Sequence, residues 1–275
     1  MIALEHAGDV TRVVLSTRWS RAFGYSVSAF LTRGILIDTG FPDVRAEVAA
    51  LLDRVRPAGV VLTHHHEDHA GNMPLIARHA LPVATSAGTL ALLAHGERAG
   101  SYRRIVWGAM PPFTEPLAPF APPGLRLVHL PGHSADHHAV WDDERGALFA
   151  GDLFLGVRVR VARPGEDPRV LARSLRQAVA LGPRIVWDSH RGLIPHPLSA
   201  LAAKADWLDE TIAAIEARIA RGWNDRAITR DVLGPEDRVG YVSFGDLSRR
   251  NFVRAVRTPP AAAPRLPGVT SVPAA

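Results

Sequence analysis

A run of metal-binding residue types at positions 63–69 constrains this chain more than any other feature. The run reads Thr-His-His-His-Glu-Asp-His and contains His-x-His-x-Asp-His, with three imidazoles and one carboxylate in six positions. Buried imidazoles and carboxylates each need a polar partner, and a divalent metal supplies such partners at once, because neutral His nitrogen and Asp oxygen are ordinary zinc ligands. Four potential ligands exceed what one catalytic ion takes from a single segment. The run therefore predicts two metal ions.

Three further candidate ligands follow the same local layout as the run. The run comes directly after the short apolar stretch 59–62, which reads as a buried strand. His133, Asp152 and His190 each follow an apolar stretch and a tight turn. Ligand groups collect at strand ends in α/β proteins. Each residue alone is a weak signal, but the set in this order predicts a metal constellation.

Composition narrows the classes of protein that the chain can belong to. Its 275 residues, 47% of them hydrophobic, suit one large domain with room for a smaller C-terminal appendage. Cysteine is absent, so any metal site is left to His and carboxylate ligands. No stretch approaches ~20 uninterrupted apolar residues, and the first residues lack the pattern of a signal peptide. We therefore expect no membrane span and, by default, a cytoplasmic location.

The charge of the chain says little about its partners. The formal net charge is +5, and Lys204 is the only lysine, an arginine bias that indicates genome composition more than selection for nucleic acid. A nucleic-acid-binding protein usually concentrates its charge on one face. We expect a small-molecule substrate, with a nucleic-acid partner disfavoured but not excluded. Homo-oligomerisation is left open.

On the strength of these residues, the chain resembles the metallo-β-lactamase-fold superfamily of metallohydrolases. The similarity covers about residues 10–195 and includes Asp38-Thr39-Gly40 upstream of the His run. It implies an α/β fold, a four-layered αββα sandwich with the metals at one edge of the two sheets. The expected division is a catalytic domain at 1–197, a C-terminal helical extension at 198–257 for which a winged-helix-like form is open, and a disordered Pro/Ala-rich tail at 258–275.

The resemblance also implies a role for each candidate ligand. His64, His66 and His133 would hold the first metal, and Asp68, His69 and His190 the second. Asp152 would bridge the two ions, which we expect to be Zn²⁺, with Fe or Mn as alternatives. Two such ions can share a hydroxide as nucleophile, and Asp68 can orient that hydroxide and pass on its proton.

The ligand set narrows the reaction class. Glyoxalase II-like thioesterases share all seven ligands, and the main expectation is a dinuclear hydrolase of a small ester, thioester or lactone. β-Lactamases of this fold usually lack the bridging Asp, and several use a Cys ligand, so Asp152 and the missing cysteine disfavour that activity. Flavodiiron proteins place Glu where His66 stands. A phosphodiesterase or ribonuclease with the same metal site, and a mononuclear iron thiol (persulfide) dioxygenase, remain open.

Substrate-contacting residues are harder to predict. The segment 100–124 carries six prolines, which oppose regular structure, and such long loops often form lids or substrate walls. The aromatic residues that we expect to contact the substrate are Tyr25, Trp107, Phe113 and Tyr241.

Several residues around the ligands have expected supporting roles. His65 and Glu67 occupy the variable positions of the run, and alternation should point them away from the metals. Asp188 precedes His190 and is a candidate acceptor for the proton of a liganding imidazole. The apolar alternation at 155–161 predicts a strand.

Overall fold

Two β-sheets lie face to face in the computed structural model, which describes residues 1–96 and 99–258. The first sheet has six strands: β1 (Ile2–Ala7), β2 (Val10–Leu15), β3 (Val27–Thr32), β4 (Ile35–Ile37), β5 (Val60–Val61) and β6 (Val83–Ala84). They lie side by side in this order, and the turn between β3 and β4 is made by Arg33 and Gly34, both with positive φ. Strands β1 to β4 are antiparallel, whereas β4, β5 and β6 run parallel.

The second sheet has five strands: β7 (Leu125–His129), β8 (His138–Asp142), β9 (Ala147–Phe149), β10 (Ile185–Asp188) and β11 (Gly192–Leu193). Their order across the sheet is β11, β10, β9, β8 and β7. Strands β9 and β10 run parallel, with Phe149 opposite Trp187 in their register. The other neighbours are antiparallel.

Helices cover the outer face of each sheet. The helices before β7 are α1 (Arg18–Ala22), α2 (Arg45–Val55), α3 (Glu67–Ala70), α4 (Met73–Arg78), α5 (Ala87–His95) and α6 (Ser101–Trp107). Those after β9 are α7 (Pro168–Ala180), α8 (Pro197–Ala220), α9 (Asp225–Ile228), α10 (Arg238–Val242) and α11 (Arg249–Arg257). Apolar residues of α2, α4, α5 and α6 pack against the first sheet, and those of α7, α8 and α11 against the second.

A separate apolar cluster fills the space between the sheets. Phe30 of β3 lies 5.3 Å from Phe149 of β9 and 5.7 Å from Trp187 of β10, measured between ring centroids. All three residues are buried together with Ile37 and Val140. Alternating side chains of a strand point to opposite faces, so each sheet contributes one face to this core and the other to its helices. The predicted four-layered αββα sandwich is confirmed.

The topology brings the candidate ligand segments to one edge of the sandwich. Because β4 and β5 are parallel neighbours, the loops after both strands lie at the same sheet edge, and the same holds for the loops after β9 and β10. Asp38 follows β4, the His run follows β5, Asp152 follows β9 and His190 follows β10.

The C-terminal region packs on the second sheet. Every regular element that the structure describes after residue 197 is helical, with a π-helical turn at Thr229–Leu233, and no strand hairpin of a winged helix forms there. Lys204 of α8 is 2% exposed, and its ammonium donates hydrogen bonds to the carbonyls of Leu153 (3.0 Å) and Phe154. From residue 259 onward, the predicted disordered tail lies outside the residues that the structure describes.

Two local expectations differ from the structure. The segment 100–124 begins with the helix α6, because its six prolines all lie after Trp107 and do not interrupt the first turns. Residues 155–161 are irregular and not a strand. The next residue, Ala162, forms an isolated β-bridge with Ser248, and this pairing does not extend back into 155–161. Within the described part of the chain, no helix combines the length and the apolar character needed to cross a bilayer.

Candidate metal centre

Three imidazoles converge at the first group of candidate ligands. His66 Nδ1 lies 2.9 Å from His64 Nε2 and 2.9 Å from His133 Nε2. All three residues are buried, with His64 at 0% exposure. Ring nitrogens at this spacing surround a point that a single cation can occupy, because each nitrogen offers one lone pair.

Asp38 and Thr63 orient two of the rings in the constellation. Asp38 adopts a left-handed φ of 61°, and its carboxylate accepts hydrogen bonds from the Thr63 amide (2.8 Å) and from the Thr63 hydroxyl. Since that hydroxyl donates to Asp38, its oxygen accepts from His64 Nδ1, 3.0 Å away. Nε2 of His64 is then left unprotonated and faces the group. Asp38 also accepts a hydrogen bond from His69 Nδ1 at 2.8 Å, which directs His69 Nε2 toward Asp152.

The second group combines two imidazoles with two carboxylates. One ligand atom from each of Asp68, His69, Asp152 and His190 lies within 4.8 Å of the others. Nδ1 of His190 donates to the carbonyl of Ser26 at 2.7 Å, so its Nε2 faces the group. That nitrogen lies 3.4 Å from Asp68 Oδ2 and 3.3 Å from Asp152 Oδ1.

The carboxylate of Asp152 lies between the two groups. Its Oδ2 is 3.3 Å from His133 Nε2 of the first group, whereas its Oδ1 is 3.2 Å from His69 Nε2 of the second. The backbone holds it there, because the amide of Asp152 donates to His137 Nε2 (3.1 Å), and His137 Nδ1 donates to the Leu130 carbonyl (2.9 Å). A carboxylate in this position has the geometry of a bridging ligand.

Two buried polar atoms at this centre form no hydrogen bond with the described residues. Nε2 of His69 and Oδ1 of Asp152 are both inaccessible to solvent and, although they lie 3.2 Å apart, neither makes a hydrogen bond. Orphaned buried polar atoms are rare and call for an explanation such as an ion. The residues therefore fit divalent cations, which would complete the coordination of these atoms.

The protonation of the rings differs between the two groups. Burial, followed by nearby His69, holds the pKa of His64 well below its usual range, and burial with the Arg163 guanidinium does the same for His66. Both rings are thus neutral, as a metal ligand needs to be. Burial also opposes charge on His69 and His190, yet the surrounding carboxylates, Asp152 foremost, raise both pKa values well above the usual range. Protons at those positions offset negative charge that cations would otherwise neutralise.

A cavity of about 570 Å³ opens onto both groups. Asp68, His133, Asp152 and His190 all reach its surface. Tyr25 and Trp107 line it as well, and the Trp107 ring lies 6.2 Å from the His190 ring. The other two aromatic candidates lie elsewhere: Phe113 is buried in the core under the first sheet, and Tyr241 is exposed beside a separate cleft in the C-terminal region.

Residues 23–187 match the sequence profile of the metallo-beta-lactamase superfamily. The match contains every candidate ligand except His190. The chain belongs to this superfamily. It is also similar to a metallo-beta-lactamase family protein of Thermus thermophilus, with 20% identity and a TM-score of 0.59 over 91% of this chain and 92% of that one. That likeness shows the fold.

Two of the relatives that the chain matches carry more specific names. A hydroxyacylglutathione hydrolase of Shewanella oneidensis is 34% identical over 126 residues, which are 45% of this chain and 44% of that protein. An atrochrysone carboxyl ACP thioesterase of Aspergillus terreus is 27% identical over 225 residues, 75% of this chain and 63% of that protein. The chain spans about half the length of the first curated relatives that it matches.

The variable positions of the superfamily His run make buried contacts that the sequence pattern does not reveal. His65 is 9% exposed, and its Nδ1 lies 2.8 Å from Asp136 Oδ1. Glu67 is 2% exposed and forms a two-point ion pair with Arg103 of α6. Both side chains point away from the ligand groups as expected, but into the protein and not into solvent. The contacts of these two side chains hold the loop of the His run on the side opposite the ligand groups.

Asp188 acts on the backbone. Its Oδ1 accepts hydrogen bonds from the amides of His190 (2.9 Å) and Arg191 (2.8 Å), and its Oδ2 accepts from the Leu155 amide. The expected bond to a liganding imidazole is not made, because the His190 ring donates to Ser26 instead. Asp188 therefore shapes the turn that carries His190.

Proposed function

We propose that this protein is a metal-dependent hydrolase that binds two divalent ions and cleaves a small ester, thioester or lactone. His64, His66 and His133 would hold one ion, and Asp68, His69 and His190 the other, with Asp152 between them. Zinc suits this set of imidazole and carboxylate donors, and Fe or Mn can replace it.

The position of Asp152 carries the proposal. Its two oxygens lie 3.3 Å and 3.2 Å from imidazole nitrogens of different groups, and the second oxygen is buried without a hydrogen bond. A single ion would need only one of the groups. Paired ions supply an activated water as nucleophile and a Lewis acid that polarises the scissile carbonyl.

Asp68 is the proposed catalytic base. Burial disfavours its charge, but nearby His69 and a hydrogen bond from His190 lower the pKa of Asp68 to about 2, so it is ionised at neutral pH. Its carboxylate lines the cavity. Oδ2 can therefore accept a hydrogen bond from the attacking water and hand the proton to the leaving group.

The substrate class rests on the cavity and on the relatives. Trp107, Tyr25 and Val159 give the cavity apolar walls beside the ligand groups, which suits a small acyl chain. The two named relatives are a hydroxyacylglutathione hydrolase and an ACP thioesterase. Among the three acyl bonds, we favour the thioester for this reason.

The test combines metal analysis with a substrate panel. Purified protein should contain close to two divalent ions per chain and should hydrolyse thioesters, with activity lost on chelation and regained with zinc. His66→Ala should lower kcat/KM at least ~10²-fold, since it removes a ligand outright and even supporting residues of metal ligands contribute ~10–100-fold. The control is His95→Ala, an exposed imidazole on α5 outside the cavity, which should keep full activity.

Three results would contradict the proposal. Hydrolysis that survives complete metal removal would exclude metal catalysis. Cleavage of a phosphodiester or an RNA oligonucleotide with no acyl hydrolysis would assign the same centre to phosphoryl chemistry. One iron per chain with oxygen uptake would indicate a dioxygenase.

A further inference from the structure

Arginines crowd the cavity beside the metal groups. Six arginines line it, of which Arg103 pairs with Glu67 and Arg249 with Asp237. The remaining four come from the segment that follows Asp152 and from the residue after His190. We call them the arginine wall: Arg158, Arg160, Arg163 and Arg191.

Arg163 is the member of the arginine wall that lies next to the candidate metal ligands. Its Nη1 lies 3.4 Å from His66 Nδ1, one of the converging ring nitrogens of the first group. The residue is half-buried, whereas Arg158 and Arg160 are exposed at the mouth of the cavity. The wall thus extends from the cavity opening to the reacting centre.

The C-terminal region holds this segment in place. Ala162 and Ser248 exchange two backbone hydrogen bonds of 3.1 Å and 3.2 Å, and Asn251 Nδ2 donates to the Ala162 carbonyl at 3.2 Å. Asn251 is 8% exposed and lies in the first turn of the helix α11, where its backbone amide donates to the N-cap Ser248. The irregular segment is therefore tied to a helix, and its arginines face the cavity from a fixed backbone.

Arg191 is oriented by its own contacts. Its Nε donates to the carbonyl of Leu155, and its amide donates to Asp188 at 2.8 Å. Gly156 has a φ of 133°, and a Cβ there would lie 3.2 Å from Arg191 Nη2, so this glycine lets the guanidinium lie close to the backbone. The bond from Nε holds the guanidinium at the cavity rim, and the bond from the amide fixes the backbone that carries it.

Protein carboxylates do not neutralise the outer part of this wall. Arg158, Arg160 and Arg191 form no ion pair within the described residues. Five acidic residues line the cavity, of which Asp68 and Asp152 face the imidazoles of the ligand groups, Glu166 lies 3.4 Å from His133 Nδ1 and Asp237 pairs with Arg249. Asp246, the fifth, forms no ion pair with those three outer arginines among the described residues. Guanidinium groups bind carboxylate and phosphate oxygens in a two-point geometry. Several of them around one cavity favour an anionic ligand.

We propose that the arginine wall is an oxyanion-binding subsite that selects acyl substrates whose non-reacting half carries a phosphate or carboxylate group. This inference rests on the proposed hydrolase function, since it assigns the specificity of the same cavity. The anion lies against Arg158, Arg160 and Arg191, while the acyl bond reaches the metal groups next to Arg163. The C-terminal region contributes to substrate selection by holding the segment that carries three of these residues.

Binding of thioethers that cannot be hydrolysed tests the subsite apart from catalysis. Calorimetric titration of the metal-loaded protein would compare neutral S-methylpantetheine with S-methyl-4′-phosphopantetheine, which differ by one phosphate, and with S-methylglutathione as the carboxylate probe. At least one anionic probe should bind tenfold or more tighter than the neutral one, a difference equal to about 1.4 kcal/mol. Added salt should weaken that preference. The probe that shows it identifies phosphate or carboxylate as the anion.

The variant Arg158→Gln/Arg160→Gln should reduce the anionic preference to within about twofold of unity, with an unchanged unfolding temperature because both side chains are exposed. The control Arg54→Gln/Arg78→Gln removes the same charge from exposed positions outside the cavity and should keep the wild-type preference. Equal affinity for all three thioethers, or a preference that the first variant leaves intact, would overturn the proposal. If thioesters are not hydrolysed but this contrast holds, the proposed function fails and the subsite stands.

Discussion

The buried ion pair between Glu67 and Arg103 should be one of the places in the molecule where a substitution lowers the free energy of unfolding most. Their side chains are 3% and 5% exposed, and two parallel hydrogen bonds join them, with Arg103 Nε 2.5 Å from Glu67 Oε1. The pair links the His run to helix α6, which carries Trp107 of the cavity wall. Replacing Glu67 with Leu removes the carboxylate that accepts these two hydrogen bonds from the buried guanidinium, and breaking such a pair costs ~3–5 kcal/mol.

The cost is large against the total stability of a domain, which is ~5–15 kcal/mol. Arg103→Met should destabilise the protein by a similar amount. The double variant Glu67→Leu/Arg103→Met buries apolar groups in place of both charges, and such replacements are often close to neutral. The double variant should therefore be more stable than either single variant, with a coupling free energy of at least ~2 kcal/mol.

Urea unfolding of the four proteins, each with and without chelator, measures this cycle. The midpoints should shift while the slope with denaturant stays constant, which indicates a change in stability alone. Arg176→Met is the control, because Arg176 pairs with Asp209 on the surface, where ion pairs contribute ~0–1 kcal/mol. Single-variant costs below ~1 kcal/mol, or costs that add in the double variant, would refute the reasoning.

Two further predictions concern groups near the metal centre. Asp38→Ala removes the acceptor for His69 Nδ1 and should weaken binding of at least one ion by ~10–100-fold in a zinc titration. The control Asp53→Ala changes an exposed carboxylate and should leave the zinc affinity unchanged. If Asp38→Ala binds zinc as tightly as the unchanged protein does, Asp38 does not orient the ring. Burial lowers the pKa of Lys204 from 10.5 to about 8, so between these pH values the unfolded chain binds a proton that the folded chain lacks, and the free energy of unfolding rises with pH. The rise should total roughly 3 kcal/mol and be absent in Lys204→Met, and parallel pH profiles of urea unfolding for the two proteins would contradict the shift.

Much of the fold could be predicted because its signals are local. The apolar stretch before the His run and the tight turns before His133, Asp152 and His190 each depend on residues a few positions apart. The layered sandwich was expected from the resemblance to the superfamily. Where a local pattern misled, as at 155–161, the segment lies outside both sheets, and the backbone of its first residue bonds to the side chains of Asp188 and Arg191 and not to a neighbouring strand.

The candidate site also has one part that the sequence predicts and one part that it does not. The types of residue that could bind metals, and their places after strands, were readable because spacing within a short segment carries that information. The contacts that orient them were not, since the Glu67–Arg103 pair spans 36 positions and the His65–Asp136 pair spans 71. No periodicity in a single sequence connects residues so far apart.

The sequence by itself thus determined the chemistry available to this protein: imidazoles and carboxylates in a pattern suited to two ions, with no thiol among them. Only the tertiary structure decided how they meet, with Asp152 between the two groups and Asp38 behind the rings. It also placed Trp107 in the cavity and Phe113 in the core, and gathered Arg158 and Arg191 on one wall. The physical reason is that ligand types are a property of the chain, whereas convergence and charge balance depend on which strand ends the fold brings to one edge.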